Sequence, residues 1–406
     1  MTSEATRAAR RAAIGFVVAV AIGSLFADVV YEGARSIAGP FLLTLGASAA
    51  FVGFISGLGE FVGYALRIVS GYAADRTGRY WLFTIGGYAL NVFAVPLLAL
   101  AGRIEIAVAL LLAERLGKAI RVPARDTMIS YASRPIGRGL AFGIHEALDQ
   151  IGAVLGPLML AGVLLLRPDD YRFAFAILGV PAVLTVVALF SARVRFPDPR
   201  ALEGEADRSA DAPLAGDGRV LRANAPFWRY GLFSVLAVAG FAPFPLVAFH
   251  LVREGVLTAP ELPLLYAVAM AVDAVVALAT GHLYDRRGLV VLVSVPFVTV
   301  ASAALFTTEP LLVWAGAVAW GAVMGIQEST LRAAVADLVT VERRATGYGL
   351  FNTLYGFALL AGGALMGLLY EASPLAVAVF IGLLEVAALG AIAYLLRQAP
   401  RRPSGV

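Results

Sequence analysis

Apolar residues fill long runs of this chain, and polar residues gather in the short gaps between them. Most runs reach about 20 residues or more, enough for a helix rising 1.5 Å per residue to cross a hydrocarbon core of about 30 Å. The pattern predicts twelve such spans, at 12–37, 47–74, 80–100, 104–131, 138–166, 171–193, 227–252, 262–283, 288–306, 310–337, 345–369 and 374–397. Between 196 and 226 the pattern stops. Pro197-Asp198-Pro199-Arg200 leads into Glu203, Glu205, Asp207 and further polar residues, too poor in apolar side chains to build a core. This stretch is expected to be a flexible linker between an N-terminal six-helix bundle (1–195) and a C-terminal one (227–406). The predicted fold class is an all-α membrane protein.

Arginine is shared unequally between alternate gaps. One set holds Arg76, Arg79, Arg134, Arg138, Arg286, Arg287, Arg343 and Arg344, with Arg397, Arg401 and Arg402 near the C-terminus. The other set holds Arg103, Arg167, Arg172 and Arg253. Basic residues accumulate on the cytoplasmic side, so both termini and the linker are expected there. Arg7, Arg10 and Arg11 precede the first apolar run as in a signal peptide. That run, however, continues past Ala27 into Asp28 and Glu32 without a small-residue cleavage site, and it is read as the first span.

Composition supports this pattern and removes several function classes. Charged residues are 15% of the 406, against about 25% in soluble domains, and hydrophobic residues are 60%. The 42 glycines and 20 prolines suit a bundle of closely packed membrane helices. A net charge of +4 could suggest a nucleic-acid partner, but the arginines lie in short loops rather than on one patch, and no nucleic acid is expected. Without cysteine there is no thiol redox chemistry, disulfide or cysteine-ligated metal. No phosphate-binding loop, metal cluster or nucleophile signature stands out, so neither an enzyme, a cofactor nor an ATP-driven pump is expected. Transport would then be driven by an ion gradient or by the solute's own gradient.

The two halves repeat each other. Gly71-Tyr72-Ala73-Ala74-Asp75-Arg76-Thr77-Gly78-Arg79 follows the second span, and Gly281-His282-Leu283-Tyr284-Asp285-Arg286-Arg287-Gly288 follows the eighth. Arg138-Gly139-Leu140-Ala141-Phe142-Gly143 is likewise matched by Arg344-Ala345-Thr346-Gly347-Tyr348-Gly349. Such duplication is expected of secondary transporters, whose sites lie near mid-membrane. The G-x-x-x-D-R-x-G-R stretch resembles the signature loop of the major facilitator superfamily, and span number, linker, orientation and repeat extend the resemblance over the whole chain. It implies two pseudo-symmetric six-helix bundles rocking about a central cavity, working as a monomer in the inner or plasma membrane of a bacterial or archaeal cell. It further implies that Gly71, Asp75, Arg76, Gly78 and Arg79, with Asp285 and Arg286 in the second copy, gate the cytoplasmic side rather than contact solute.

In the fifth span Gly143, Gly152, Gly156 and Pro157 resemble the packing motif of the proton-coupled exporters in that superfamily. Glycines four apart give a smooth helix face, and proline bends the helix. The pattern departs at Leu160 and Ala161, which replace two glycines. It departs again in the fourth span, where Ala113 stands in place of the motif arginine while Gly117 is retained.

The remaining chemistry lies in charges within the spans. Glu114, Lys118, Arg121 and Arg125 share a face of the fourth span, and Lys118 is the only lysine in the chain. A charge near mid-membrane costs about 2.5–3.5 kcal/mol on the insertion scale, so this row must face protein or a polar path. Lys118 and Arg121 are candidate contacts for an anionic group, and Glu114 is a candidate proton carrier. The alternative is charge balance by Asp28, Glu146 and Asp149. In the first span Asp28 is a further candidate proton carrier, while Glu32 and Arg35 are either solute contacts or an internal pair. Arg67 in the second span is expected to meet Glu60 or Asp149. In the fifth span His145, Glu146 and Asp149 are candidate proton carriers; His145 and Asp149 are one turn apart, as are Glu146 and Gln150, and the first pair could relay protons, or His145 could stay neutral and hydrogen-bonded. In the C-terminal half Asp273, Asn352 and Tyr355 are candidate solute contacts, and Glu328 and Arg332 a structural pair.

The reading is a secondary transporter that exports a small organic solute in exchange for protons, with the lipid bilayer as its surroundings. One alternative is a proton symporter importing an organic anion on the same basic face. The other is a membrane sensor that binds solute without turnover.

Overall fold

The computed structural model describes residues 3–133, 135–203, 224–339 and 344–398, which are helical almost throughout and contain no strand. In hydrocarbon every backbone polar group must be satisfied within the chain, and a helix does this segment by segment. The described residues form two compact units. The first lies within Met1–Ala47, Val62–Pro213 and Leu257–Ala267, the second within Ser48–Phe61, Leu214–Val256 and Val268–Val406. Linker residues 204–223, and Arg134, Arg343, Arg401 and Arg402, lie outside the described residues.

The helices of the N-terminal half are α1 (Ser3–Thr44), α2 (Ala49–Ala65), α3 (Arg67–Thr77), α4 (Tyr80–Leu97), α5 (Ile104–Ser133), α6 (Arg138–Leu166), α7 (Tyr171–Ile177) and α8 (Gly179–Arg195). Those of the C-terminal half are α9 (Ala225–Ala239), α10 (Phe244–Arg253), α11 (Glu261–Arg287), α12 (Ser294–Ser302), α13 (Pro310–Leu338), α14 (Arg344–Ala372) and α15 (Pro374–Gln398). Among the described residues ten helical stretches are long and apolar enough to cross a membrane. Two features reconcile ten with twelve crossings. The charges of α5 keep it off that tally. One of the ten, Glu261–Phe306, has 46 residues and would run about 69 Å as a straight helix, twice the hydrocarbon thickness. Within it Gly288 takes a left-handed φ of 61°, where α11 ends.

Gly78 does the same in the first copy of the signature loop: with φ 66° it caps α3, and its N–H bonds to the Ala74 carbonyl. A left-handed residue is the ordinary way to terminate a helix, and glycine adopts it without steric cost. Both copies of the repeat thus end on the same backbone feature. Tyr80 donates its hydroxyl to Asp75 at 3.1 Å, whereas Arg76, Arg79, Asp285 and Arg286 are exposed.

In the first unit α1 lies along α6 and α8, and α4 along α5. Gly152 and Gly156 set the α1–α6 contact. A Cβ at Gly152 would run into the Leu25 carbonyl oxygen, and one at Gly156 into that of Val29, with the Gly33 nitrogen at 2.9 Å. Gly143 departs from the expected packing motif. Nothing lies within 4 Å of a Cβ built there, because this end of α6 is exposed, so the close-packed face begins at Gly152. The α4–α5 crossing is similarly tight, with Gly117 against the backbone of Asn91.

In the second unit α9 packs on α15 and α14. The seventh crossing is broken: α9 ends at Gly240, and α10 resumes at Phe244 after Pro243. The Trp320 indole N–H on α13 donates to the Ala242 carbonyl at 2.9 Å, holding the break in place.

Candidate functional site

The stripe Ser24, Asp28, Tyr31 and Arg35 runs along one face of α1 at spacings of four, three and four. The α1–α6 glycine contact brings it near His145 and Asp149, and α5 presents its basic row to the same region. The resulting network lies within the first unit. Tyr31 is its hub at one end. Its hydroxyl accepts from Arg115 Nη1 at 2.8 Å and from Arg35 Nη1 at 3.0 Å, and Lys118 Nζ stands 3.8 Å from its ring centroid. Glu32 beside it accepts a 2.5 Å hydrogen bond from the Tyr266 hydroxyl.

Arg121, only 1% exposed, occupies the middle. Its Nη2 lies 3.7 Å from Asp28 Oδ1, and its guanidinium stacks 4.1 Å above the Tyr88 ring centroid. Among the described residues its Nε and Nη1 have no acceptor. Tyr88 in turn donates to Ser24 at 2.9 Å. At the far end Arg125 pairs with Asp126 at 2.8 Å and with Asp149 at 3.8 Å, and His145 Nδ1 lies 3.2 Å from Asp149.

The sequence-expected residues divide accordingly. Asp28, Glu32, Arg35, Glu114, Lys118, Arg121, His145 and Asp149 come together in one unit. Glu114 is held by Asn91 Nδ2 at 2.7 Å and by Arg115 at 3.1 Å, which makes it the anchor of the Arg115 guanidinium. Glu146 does not join the charge balance expected of it. One residue of helix turns it by about 100° from His145, so it is exposed and accepts from Gln150 at 3.3 Å. Arg67 donates to the Gly63 carbonyl at 3.0 Å and lies over the Tyr64 ring. Asp273, Asn352 and Tyr355 belong to the second unit. There Asp273 is buried against Gly325, and Tyr355 donates to Gln327 at 3.3 Å.

Sequence reasoning missed Tyr31, Tyr88, Asn91, Ser24 and Tyr266. Aromatic residues on membrane helices are commonplace, so Tyr31 carried no distinct signal. The signal available was position: Tyr31 shares its helix face with Asp28 and Arg35, and Asn91 is a lone amide in Leu90-Asn91-Val92.

A sequence profile of the Major Facilitator Superfamily matches residues 20–363 and again 257–406. The chain belongs to the major facilitator superfamily. An uncharacterized protein of Mycobacterium tuberculosis is 45% identical over 379 residues, covering 92% of this chain and 91% of that one. Multidrug resistance protein MdtH of Photorhabdus laumondii is 32% identical over 152 residues, 37% of this chain and 36% of that one. Among solved structures, nucleoside transporter NupG aligns with a TM-score of 0.75 over 95% of this chain and all of its own, at 15% identity, a likeness of fold. This superfamily member is a multi-pass membrane transporter with bacterial relatives.

Proposed function

We propose that this protein is a proton-coupled secondary transporter of the bacterial inner membrane, with both termini cytoplasmic. Its first unit recognises an anionic group on a small organic solute. The observation that carries this reading is the convergence of Arg35, Arg115 and Lys118 on Tyr31. Guanidinium forks match carboxylate or phosphate oxygens, and the tyrosine fixes their spacing by accepting from both and offering its ring face to the ammonium. The three cations are partly exposed, in contrast to sealed Arg121.

The charges also supply coupling. Five cations (Arg35, Arg115, Lys118, Arg121 and Arg125) face five carboxylates (Asp28, Glu32, Glu114, Asp126 and Asp149), so the fully ionised network is neutral with His145 uncharged. Adding a proton to Asp28 or Asp149 leaves it positive, which favours an anion. By reciprocity a bound anion favours that proton. Proton and anion then load together, the linkage of a symporter, and a neutral loaded network lowers the barrier to alternating access. Export by exchange, the direction favoured from sequence, is the second reading. Its support is the likeness to a protein named for multidrug resistance and the glycine face at Gly152 and Gly156. On this network it requires a solute that competes with the proton, hence a cation attracted to Asp28 or Asp149.

Thermal-shift titrations of the purified protein against matched organic anions and cations test the choice. Selected anions should stabilise it in a concentration-dependent way. Lys118→Ala or Tyr31→Phe should weaken their binding about 10- to 100-fold, as expected for loss of a charge-assisted contact of about 1.5–3 kcal/mol. Stabilisation by cations only, abolished in Asp149→Asn, would establish the exchange reading instead.

A further inference from the structure

Besides Asp273, the second unit buries another carboxyl, apart from this network. Glu385 is the twelfth residue of the 25-residue α15, near the middle of the crossing, and is 1% exposed. Among the described residues neither of its carboxylate oxygens has a hydrogen-bond partner. The titratable groups on the helices packed around it are engaged elsewhere. On α9, Arg229 meets Gln398 and Tyr394 at the far end of α15, and Tyr230 donates to the Leu331 carbonyl. On α14, Tyr355 donates to Gln327, Tyr370 meets His250, and Glu371 accepts from the Ala50 amide, while the half-buried Tyr348 lies about three turns from the middle of the helix. On α15 itself Tyr394 and Arg397 lie in the last two turns, and α12 carries no titratable residue.

A second observation says what this carboxyl faces. A Cβ at Gly240 would collide with Glu385 Oε1, and its Cδ would lie 3.2 Å away. Gly240 is therefore the notch in which the carboxyl sits, and it is also the residue at which the seventh crossing unwinds. The last carbonyls of a helix lack intrahelical donors. Here the shortage is built in, because the residue four beyond Ala239 is Pro243, which has no N–H. Glu385 thus lies beside a chain break at which the Ala239 carbonyl has lost its intrahelical donor.

We propose that Glu385 is a second proton-binding site, and that its proton latches the break between α9 and α10. As a carboxylic acid it is neutral and supplies an O–H that the carbonyls at the end of α9 can accept. As a carboxylate it would be a charge without a hydrogen-bond partner at mid-membrane, an arrangement relieved by opening the break to water. Discontinuous helices in transporters are where coupling ions meet free backbone carbonyls, and the geometry here suits a proton.

Two measurements on the full-length protein test this. The first is labelling by a hydrophobic carbodiimide, which reacts with protonated carboxyls, followed by peptide mass spectrometry. Glu385 should be modified at neutral pH, and the modification should disappear in Glu385→Gln. Absence of label on Glu385 in the native protein, with other buried carboxyls labelled, overturns the proposal. The second is amide hydrogen exchange across 236–246 as pH is raised. The native protein should show faster exchange than Glu385→Gln, which cannot ionise, beyond the intrinsic base-catalysed increase common to both. Equal pH dependence in the two proteins also overturns it.

Discussion

Asp28→Leu should lower the stability of the folded transporter by about 3–5 kcal/mol, because it strands the Arg121 guanidinium in the interior without its anion. The reverse change, Arg121→Leu, should cost less, since Asp28 can take up a proton or turn to Lys118. The informative variant is the double one. Replacing a buried ion pair by apolar groups of similar volume is often neutral, so Asp28→Leu with Arg121→Leu should be markedly more stable than Asp28→Leu alone. Denaturant or thermal unfolding in detergent reads this difference. A double variant as unstable as the sum of its parts would mean that the two side chains act separately. All three variants should lose solute transport.

Gly156→Val should be as damaging by a different route. The added Cβ meets main chain, the Val29 carbonyl and the Gly33 nitrogen, and main chain cannot move aside as a side chain can. Overpacking of this kind costs about 1–3 kcal/mol or more, and it prises α1 from α6. The Asp28–Tyr31 stripe would then lose register with His145 and Asp149, so transport should fall further than stability does. Gly143→Ala is the control. It has open space around it and sits in a helix, where alanine is favoured over glycine by about 1 kcal/mol, so it should leave melting temperature and transport unchanged or slightly raised. Equal damage from both substitutions would show that the contact at Gly156 is not what matters.

Much of the fold was legible because hydrophobic runs of membrane length leave few alternatives, and because the signature loop recurs at Gly78 and Gly288. The basic row of α5 was legible for the same reason, since charges in an apolar helix demand a protein partner. What escaped was rotational detail and the identity of partners. His145 and Glu146 are adjacent in sequence, and only packing decides that the first turns inward and the second outward. Gly143 looked like Gly152 until the end of α6 proved open. Tyr31 could not be told from an ordinary packing aromatic, although it organises three cations. Glu385 sits in Leu383-Leu384-Glu385-Val386, where one acid in a hydrophobic run says nothing of the glycine notch across from it.

The most direct measurement is calorimetric titration of the best-stabilising anion in buffers of different protonation enthalpy, which counts protons exchanged on binding. Net proton uptake by the native protein, lost or strongly reduced in Asp28→Asn, is the expected result. Release of protons on solute binding, or none exchanged at all, would contradict the linkage between the Tyr31 cluster and the Asp28 carboxylate.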